Sequence, residues 1–583
     1  MKNSTIILAT GLFSGMLLSS CSNFLTEDPK GTMAPEAFYT SQNDLDMAVH
    51  SLYYNVQLSM HNSNPFIVQC QGDDMTSTTG SNKASYLAAD AFEVPADFKG
   101  QNDLWKGQYN IIQAANQIID NADRCNTTTE NINIAVGNAR FWRAIAYFQL
   151  VRVFGPLPVN LHNAADNNNT PLTPESEIYN MILEDVLEAE KCNLPATYEG
   201  RDYGNIDGLN YWVTDQAVKS LLTALYMQMA GWPLNLGNEY YALAADKAKE
   251  VVDGVKSGKY PQALESDWQQ VYSYGNNFSK EIILPVVFKG VPYQMNDWTT
   301  QFPLCHRFTQ GGWADFIPEF LYWAQFPEGP RKECVYDPMI NTYLKDDDGN
   351  YLCVDWWATE NEQPIEEDKS RSGYAYSPMF SPFSVNQGDD GEPIAAPYRY
   401  DLIGYSGQSC DKVHRMIRYS EVLCWFAEAS ARSGKYSSEA LSALKEVQDR
   451  AYAADVVPDN SDLAEAAYRE HGYEVAGYPL ALVTRRADQM RMDRLKEAWE
   501  YRHGKQEEII VPKGTVTHSF KRTKVTDPVT HRPTYTNAPY TYELSYDLII
   551  RQPMDVSETW EGINSIYQAY PPNETEKNPN IKR

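Results

Sequence analysis

"HRMIRYSEVLCWFAEASARSG" (residues 414–434), followed by "YSSEALSALKEVQDRAYA" (436–453), is the stretch on which the fold turns. In the first segment Tyr419, Val422, Leu423, Phe426, Ala427 and Ser430 step by three and one, which places them on one face of a helix. In the second, small alanines punctuate the helical pattern and let two helices approach closely. The pair therefore predicts two helices, 414–434 and 436–453, lying against each other. The same arrangement occurs earlier, where 211–231 leads through "WPLNLGN" into 239–261. Helix pairs of about 34 residues that stack on their neighbours' apolar faces are tetratricopeptide-like.

Working outward, "SQNDLDMAVHSLYYNVQLSM" (41–60) predicts a helix capped at Ser41 or Asn43, with Leu45, Val49, Leu52 and Val56 on one stripe. A second helix is expected over 102–122 and a third over 138–158. The apolar residues of the third nearly encircle its axis, so it must be packed on several sides. Gly155-Pro156 stops it. Residues 262–410 differ in character: they are rich in Pro, Gly and aromatic residues, with short extended runs such as "EIILPVVF" (281–288). "NTYLKDDDGNYLCVDWW" (341–357) predicts a hairpin turning at Asp348-Gly349. Residues 456–480 read as an inserted acidic segment, and 504–583 as a second loop-rich stretch.

Composition narrows the function classes. A formal charge of −28 on 583 residues repels phosphate backbones, which argues against nucleic acid and against a polybasic contact with anionic lipid. The nine cysteines contain no C-x-x-C pair, so neither a zinc site nor a disulfide framework is expected. Buried thiols are the default, with a Cys334–Cys353 bridge as the alternative. Among nine histidines there is no H-E-x-x-H, and no G-x-x-x-x-G-K-[ST] occurs. "GYSGQS" (404–409) lacks the G-x-S-x-G spacing. Ser442 and Lys445 form an S-x-x-K without a K-T-G, and "DDDGN" (346–350) lacks the alternation of a calcium loop. No catalytic residue, metal or cofactor is expected. A glycosidase needs only two carboxylates brought together in space, so an enzyme of that class is the distant alternative.

The N-terminus begins with Lys2 and a greasy run from Ile6 to Leu18, about the length of a signal-peptide core and too short to span a membrane. Leu18-Ser19-Ser20-Cys21 resembles the lipobox of bacterial lipoproteins. By that resemblance residues 1–20 are a signal peptide, Cys21 carries the lipid (palmitate-type acylation), and 21–40 form a tether.

Taken in order, the lipobox with "FLTEDP", "NDLWKGQYNIIQAANQII", "NARFWRAIAYFQLVRVFGPLPV", the 418–450 helices, "DRLKEAWEYRHG" (493–504) and "YPPNETEKNPNI" (570–581) resemble the SusD/RagB family of nutrient-binding outer-membrane lipoproteins. The resemblance implies a mostly α fold. Four tetratricopeptide-like helix pairs form a right-handed superhelix, packed against a loop-rich second half with short strands. Residues 41–261 are the helical N-terminal part, and 262–583 the C-terminal part containing the further pair at 414–453. It also implies a role at the cell exterior: binding oligosaccharides and delivering them to a SusC-like TonB-dependent transporter, without catalysis. A RagB-like peptide ligand is the near alternative.

Ligand candidates follow from residue type. Trp298, Trp313, Trp323, Trp356 and Trp357 lie in the loop-rich region outside any helical stripe, where a flat ring offers an apolar face to a sugar. "QGDDMTSTTGSNKASY" (71–86) is a polar loop with no packing stripe. The family resemblance places it at the ligand cleft, making Asp73, Asp74 and Asn82 hydrogen-bonding candidates. Phe98 is a further aromatic candidate.

Overall fold

The computed structural model describes residues 38–61, 64–77, 84–163, 169–272, 276–288, 316–337, 339–345, 351–355, 359–360, 363–364, 379–380, 413–503, 507–509, 514–526, 533–544, 549–551 and 559–582. Eight helices stack in chain order. They are α1 (Gln42–Met60), α2 (Lys99–Asn121), α3 (Thr129–Phe154), α4 (Glu175–Lys191), α5 (Asp215–Ala230), α6 (Asn238–Lys256), α7 (Tyr419–Ser433) and α8 (Ser437–Ala451). Each packs on its predecessor, giving four pairs in a superhelix, with α7 seated on α6. Among the described residues no helix is long and apolar enough to cross a membrane.

Local chemistry sets the helix ends. Ser41 caps α1, accepting from the Asp44 N–H while the Asp44 carboxylate accepts from the Ser41 N–H at 2.8 Å. Thr128 caps α3, and Gly155, at φ 72°, ends it. From Phe141 onward α3 is buried almost continuously, as its encircling apolar pattern requires, because α2 and α4 cover it from two sides. The same holds for α7, buried from Tyr419 to Ser430 between α6, α8 and α9 (Leu463–Glu474). The alanines of α8 serve this contact: Ala440, Ala443 and Ala451 are fully buried.

One expectation needs correction. The helix expected over 414–434 starts at Tyr419. Residues His414–Arg418 are instead a strand, β4, paired antiparallel with β2 (Ile282–Val286) so that His414 faces Val286 and Arg418 faces Ile282. All five residues of β4 are buried, so no period of two distinguishes it from a helix. The segment 456–480, read as an inserted acidic stretch, contains α9, whose Glu470 and Glu474 are 1% exposed. Helix α4 was not anticipated, although Ile178, Ile182, Val186 and Ala189 form its buried stripe. Two shorter strands, β1 (Met75–Ser77) and β3 (Phe316–Pro318), pair antiparallel. The hairpin expected near 341–357 is present as paired strands Met339–Lys345 and Tyr351–Asp355; Asp348 and Gly349 lie outside the described residues. Cys70, Cys125, Cys192 and Cys424 are free thiols; the side chain of Cys353, the alternative partner of Cys334, lies outside those described.

A buried ion network joins the second half to the helical body. Glu474 accepts from Arg331 and Arg418 at 2.9 Å each, from Arg450 at 3.1 Å and from the Trp268 indole at 3.1 Å. Glu281, just before β2, accepts from Arg418 at 2.9 Å and from Arg450 at 2.5 Å. Glu470 accepts from Arg331 at 2.6 Å. Three arginines and three glutamates balance, and none of the six side chains is more than 6% exposed. Alongside, His471 meets Asp488 at 2.5 Å, and Arg491 bridges Asp488 and Glu428. Burial opposes the imidazolium, but Asp488 and Glu421 hold the His471 pKa up at about 9, so it is a cation at neutral pH.

Removing one member strands the others. Glu474→Ala leaves three interior guanidiniums short of one carboxylate and is expected to cost on the order of 3–5 kcal/mol in urea unfolding. Lys249→Ala, which breaks the surface pair with Glu439 at 2.8 Å, should cost less than about 1 kcal/mol. Equal losses would contradict this account of the network.

Candidate ligand-binding site

The polar loop 71–86 starts deep in the protein. Gln71 and Asp74 are buried, and the backbone between them is held by Arg502 from α11 (Leu495–His503). The Arg502 Nη2 donates to the carbonyls of Cys70 (3.1 Å), Gly72 (2.5 Å) and Met75 (2.7 Å), and Nε donates to Asp90 at 2.7 Å. Five donors in a fixed fork suit an arginine to this role. Gly72 has no room for a side chain, since a Cβ there would stand 2.7 Å from Asp74 Oδ1.

Asp73 and Asp74 diverge from this turn. The Asp73 carboxylate, 31% exposed, is gripped by Arg485 of α10 (Arg485–Arg491) through Nε at 2.6 Å and Nη2 at 2.8 Å. Its N–H donates to Gln489 at 3.0 Å. The Asp74 side chain turns inward, where Oδ2 accepts from the Gly477 N–H at 2.7 Å and Oδ1 is buried without a hydrogen-bond partner. Its carbonyl accepts from Glu319 at 3.0 Å, and Trp323 follows one helical turn later in the short helix Phe320–Gln325. The β1–β3 pairing thus brings Asp73, Asp74 and Trp323 to one small region.

Two of the sequence candidates are corrected there. Asp74, 1% exposed, is an interior hydrogen-bonding group, and Trp323, 6% exposed, is a packing residue with the Lys332 ammonium 4.9 Å from its ring centre. Phe98 precedes α2, half-buried against the core. Asn82, Trp298, Trp313, Trp356, Trp357 and Cys21 lie outside the described residues. Among the described residues no group of three His, Cys, Asp or Glu side chains could hold a metal.

Sequence reasoning passed over a separate hollow. A cavity of about 300 Å³ opens between α2, the 158–163 connection and the C-terminal helix Pro572–Lys577. Trp105 and Tyr109 form part of its wall, with Asn110, Asn163, Glu574 and Lys577 at the polar side. Trp105, 4% exposed, is core as well as wall.

Burial pushes the Asp74 carboxyl up to about 7, the Gly477 N–H works against this, and neighbouring Asp73 adds to it. In the unfolded chain the group titrates near 3.8. Between about 4 and 7 the folded protein therefore keeps a proton that the unfolded chain has lost, and stability from this site falls as pH rises through that window. Asp74→Asn keeps an acceptor for Gly477 and removes the titration. Chemical denaturation as a function of pH should show the variant gaining on the parent from pH 4 to 7, by on the order of 2–4 kcal/mol at the top; parallel curves would refute the assignment.

Known proteins carry the same architecture. The family described as "SusD-like_3: Starch-binding associating with outer membrane" matches residues 23–226, and the SusD family (SusD_RagB) matches 399–583. SusD-like protein P2 of Formosa agariphila is 25% identical over 460 residues, covering 75% of this chain and 79% of its own. A solved structure described as bound to xylogluco-oligosaccharide aligns with TM-score 0.63 at 18% identity, covering 92% of this chain and 98% of its own. Surface glycan-binding protein A from Bacteroides uniformis aligns with TM-score 0.60 at 15% identity, over 93% and 99% of the two chains. With its stacked helix pairs and a second half locked onto them, the chain belongs to the SusD/RagB family.

Proposed function

We propose that this protein is a lipid-anchored surface receptor that captures oligosaccharides and passes them to a SusC-like TonB-dependent transporter in the outer membrane. The observation that carries the reading is the pair of family matches at both ends of the chain, one described as starch-binding and associated with the outer membrane. Relatives of the same fold named for glycan binding, or bound to a xylogluco-oligosaccharide, support the ligand class. In this reading Cys21 bears the lipid, and the protein binds its ligand without cleaving it.

The geometry gives such a site a rigid base. Ser77 pairs with Phe316 at the outer end of this base. Arg502 and Arg485 hold the turn immediately behind it. Asp73 keeps part of its carboxylate exposed for a sugar hydroxyl, while the Arg485 grip fixes its orientation. Trp356 and Trp357 supply rings for stacking, and Phe98 is a secondary ring contact. Each ring contributes about 0.5–1.5 kcal/mol beyond area burial, and hydrogen bonds about 1 kcal/mol each. Such a sum gives millimolar to micromolar capture, about 4–8 kcal/mol, suited to handing a ligand onward.

Isothermal titration against xyloglucan and starch oligosaccharides, with a peptide mixture as the competing class, tests the ligand. Binding to a glycan and none to peptides is expected. Trp356→Ala with Trp357→Ala should weaken that binding about 10- to 100-fold while leaving the melting temperature nearly unchanged. Release of new reducing ends from the bound glycan would overturn the receptor reading in favour of a hydrolase.

A further inference from the structure

Arg152 and Arg486 both line a small cavity that, among the described residues, no acidic side chain lines. The cavity, of about 20 Å³, lies where α3 meets residues 479–487 and is lined by Arg152, Arg486, Gln149, Gln69 and Leu482. Arg152 is 7% exposed and Arg486 1% exposed. The Arg152 Nε donates to the Phe148 carbonyl at 3.1 Å, and its guanidinium lies 4.0 Å from the Phe148 ring centre. Its Nη1 is buried with no hydrogen-bond partner. Arg486 donates to neutral acceptors: the Gln71 amide oxygen at 2.9 Å, the Ile566 carbonyl at 2.8 Å and the Arg152 carbonyl at 3.4 Å.

This is not how the protein treats its other buried arginines. Arg143, Arg331, Arg418, Arg485, Arg491 and Arg502 each have a carboxylate oxygen within 2.9 Å. Arg415 also lacks one, but it faces the Tyr272 ring at 5.3 Å. Asp488 acts on Arg152 electrostatically, yet its oxygens are taken by His471 and Arg491. Burial pushes both Arg152 and Arg486 down to about 10, which still leaves two cations at neutral pH. Two buried guanidiniums without a carboxylate partner make a counter-ion favourable.

We propose that the cavity between Arg152 and Arg486 holds one monoatomic anion, chloride in ordinary salt, as the shared counter-ion of the two guanidiniums. A single water needs about 10–15 Å³ of such space, so the cavity has room for one atom-sized guest. The Arg152 Nη1 supplies a free donor. Gln149 Oε1 is likewise buried and unpartnered, and turning that amide over presents its NH₂ to the anion instead. The ion ties the second half, through Arg486, to the central helix α3.

Crystals of the full chain grown with sodium bromide in place of chloride test this directly. Data collected at the bromine edge should show an anomalous peak between Arg152 and Arg486. In solution, melting in sodium chloride should exceed melting in sodium gluconate at equal ionic strength by about 2 °C or more, and rise with chloride concentration. Arg152→Gln should abolish that difference. A cavity without anomalous signal, or equal melting of the parent chain in the two salts, overturns the proposal; should the variant fail to fold, both parent measurements still decide.

Discussion

The second half of this molecule is fastened to its own helix pair, α7 and α8, by charge placed where water cannot reach it. Arg331, Arg418 and Arg450 come from a short helix, the end of β4 and α8; Glu281, Glu470 and Glu474 come from the approach to β2 and from α9. No two neighbouring elements satisfy their charges alone. The arrangement is worth little as net stability, because desolvation consumes much of the attraction. Its effect is on specificity. Any packing of the second half that fails to bring all six together leaves a naked charge inside.

The same device is repeated toward the candidate site. Arg502 organises the turn that precedes Asp73, and Arg485 then takes the Asp73 carboxylate. Gly477, at φ 70°, approaches Asp74 with its N–H while the Phe380 ring occupies the space where a side chain would sit. A ligand-binding surface built from loops needs a base that does not shift when the ligand arrives. Here the base is a set of bonds reaching from residues 70–75 to 477–502, across most of the sequence.

Much of the helical body was legible, because it obeys one period. Ser41 with Asp44, the encircled α3, the Gly155-Pro156 stop and the alanines of α8 are all local signals that the structure keeps. What misled was burial of the polar kind. Glu470 and Glu474 carry no sign of burial in sequence, since nothing nearby announces that Arg331 and Arg418 will meet them. Asp74 looks like a loop carboxylate for the same reason, while its partner Gly477 lies 403 residues away. The strand His414–Arg418 escaped because a fully buried run has no alternation to read. Of the candidate site, the placement of the 71–86 loop at a ligand cleft is an expectation from resemblance alone, and the division of labour between Asp73 and Asp74 was not legible at all.

The pairing of His414 with Val286 has one more consequence. Residues 287–413 depart from and return to adjacent points of a clamped ladder, so the solenoid sees them as a closed excursion. Lengthening such an excursion is thermodynamically cheap, about 0.6 kcal/mol for each doubling. Sequence change within that excursion is therefore tolerated while the stacked helices stay as they are.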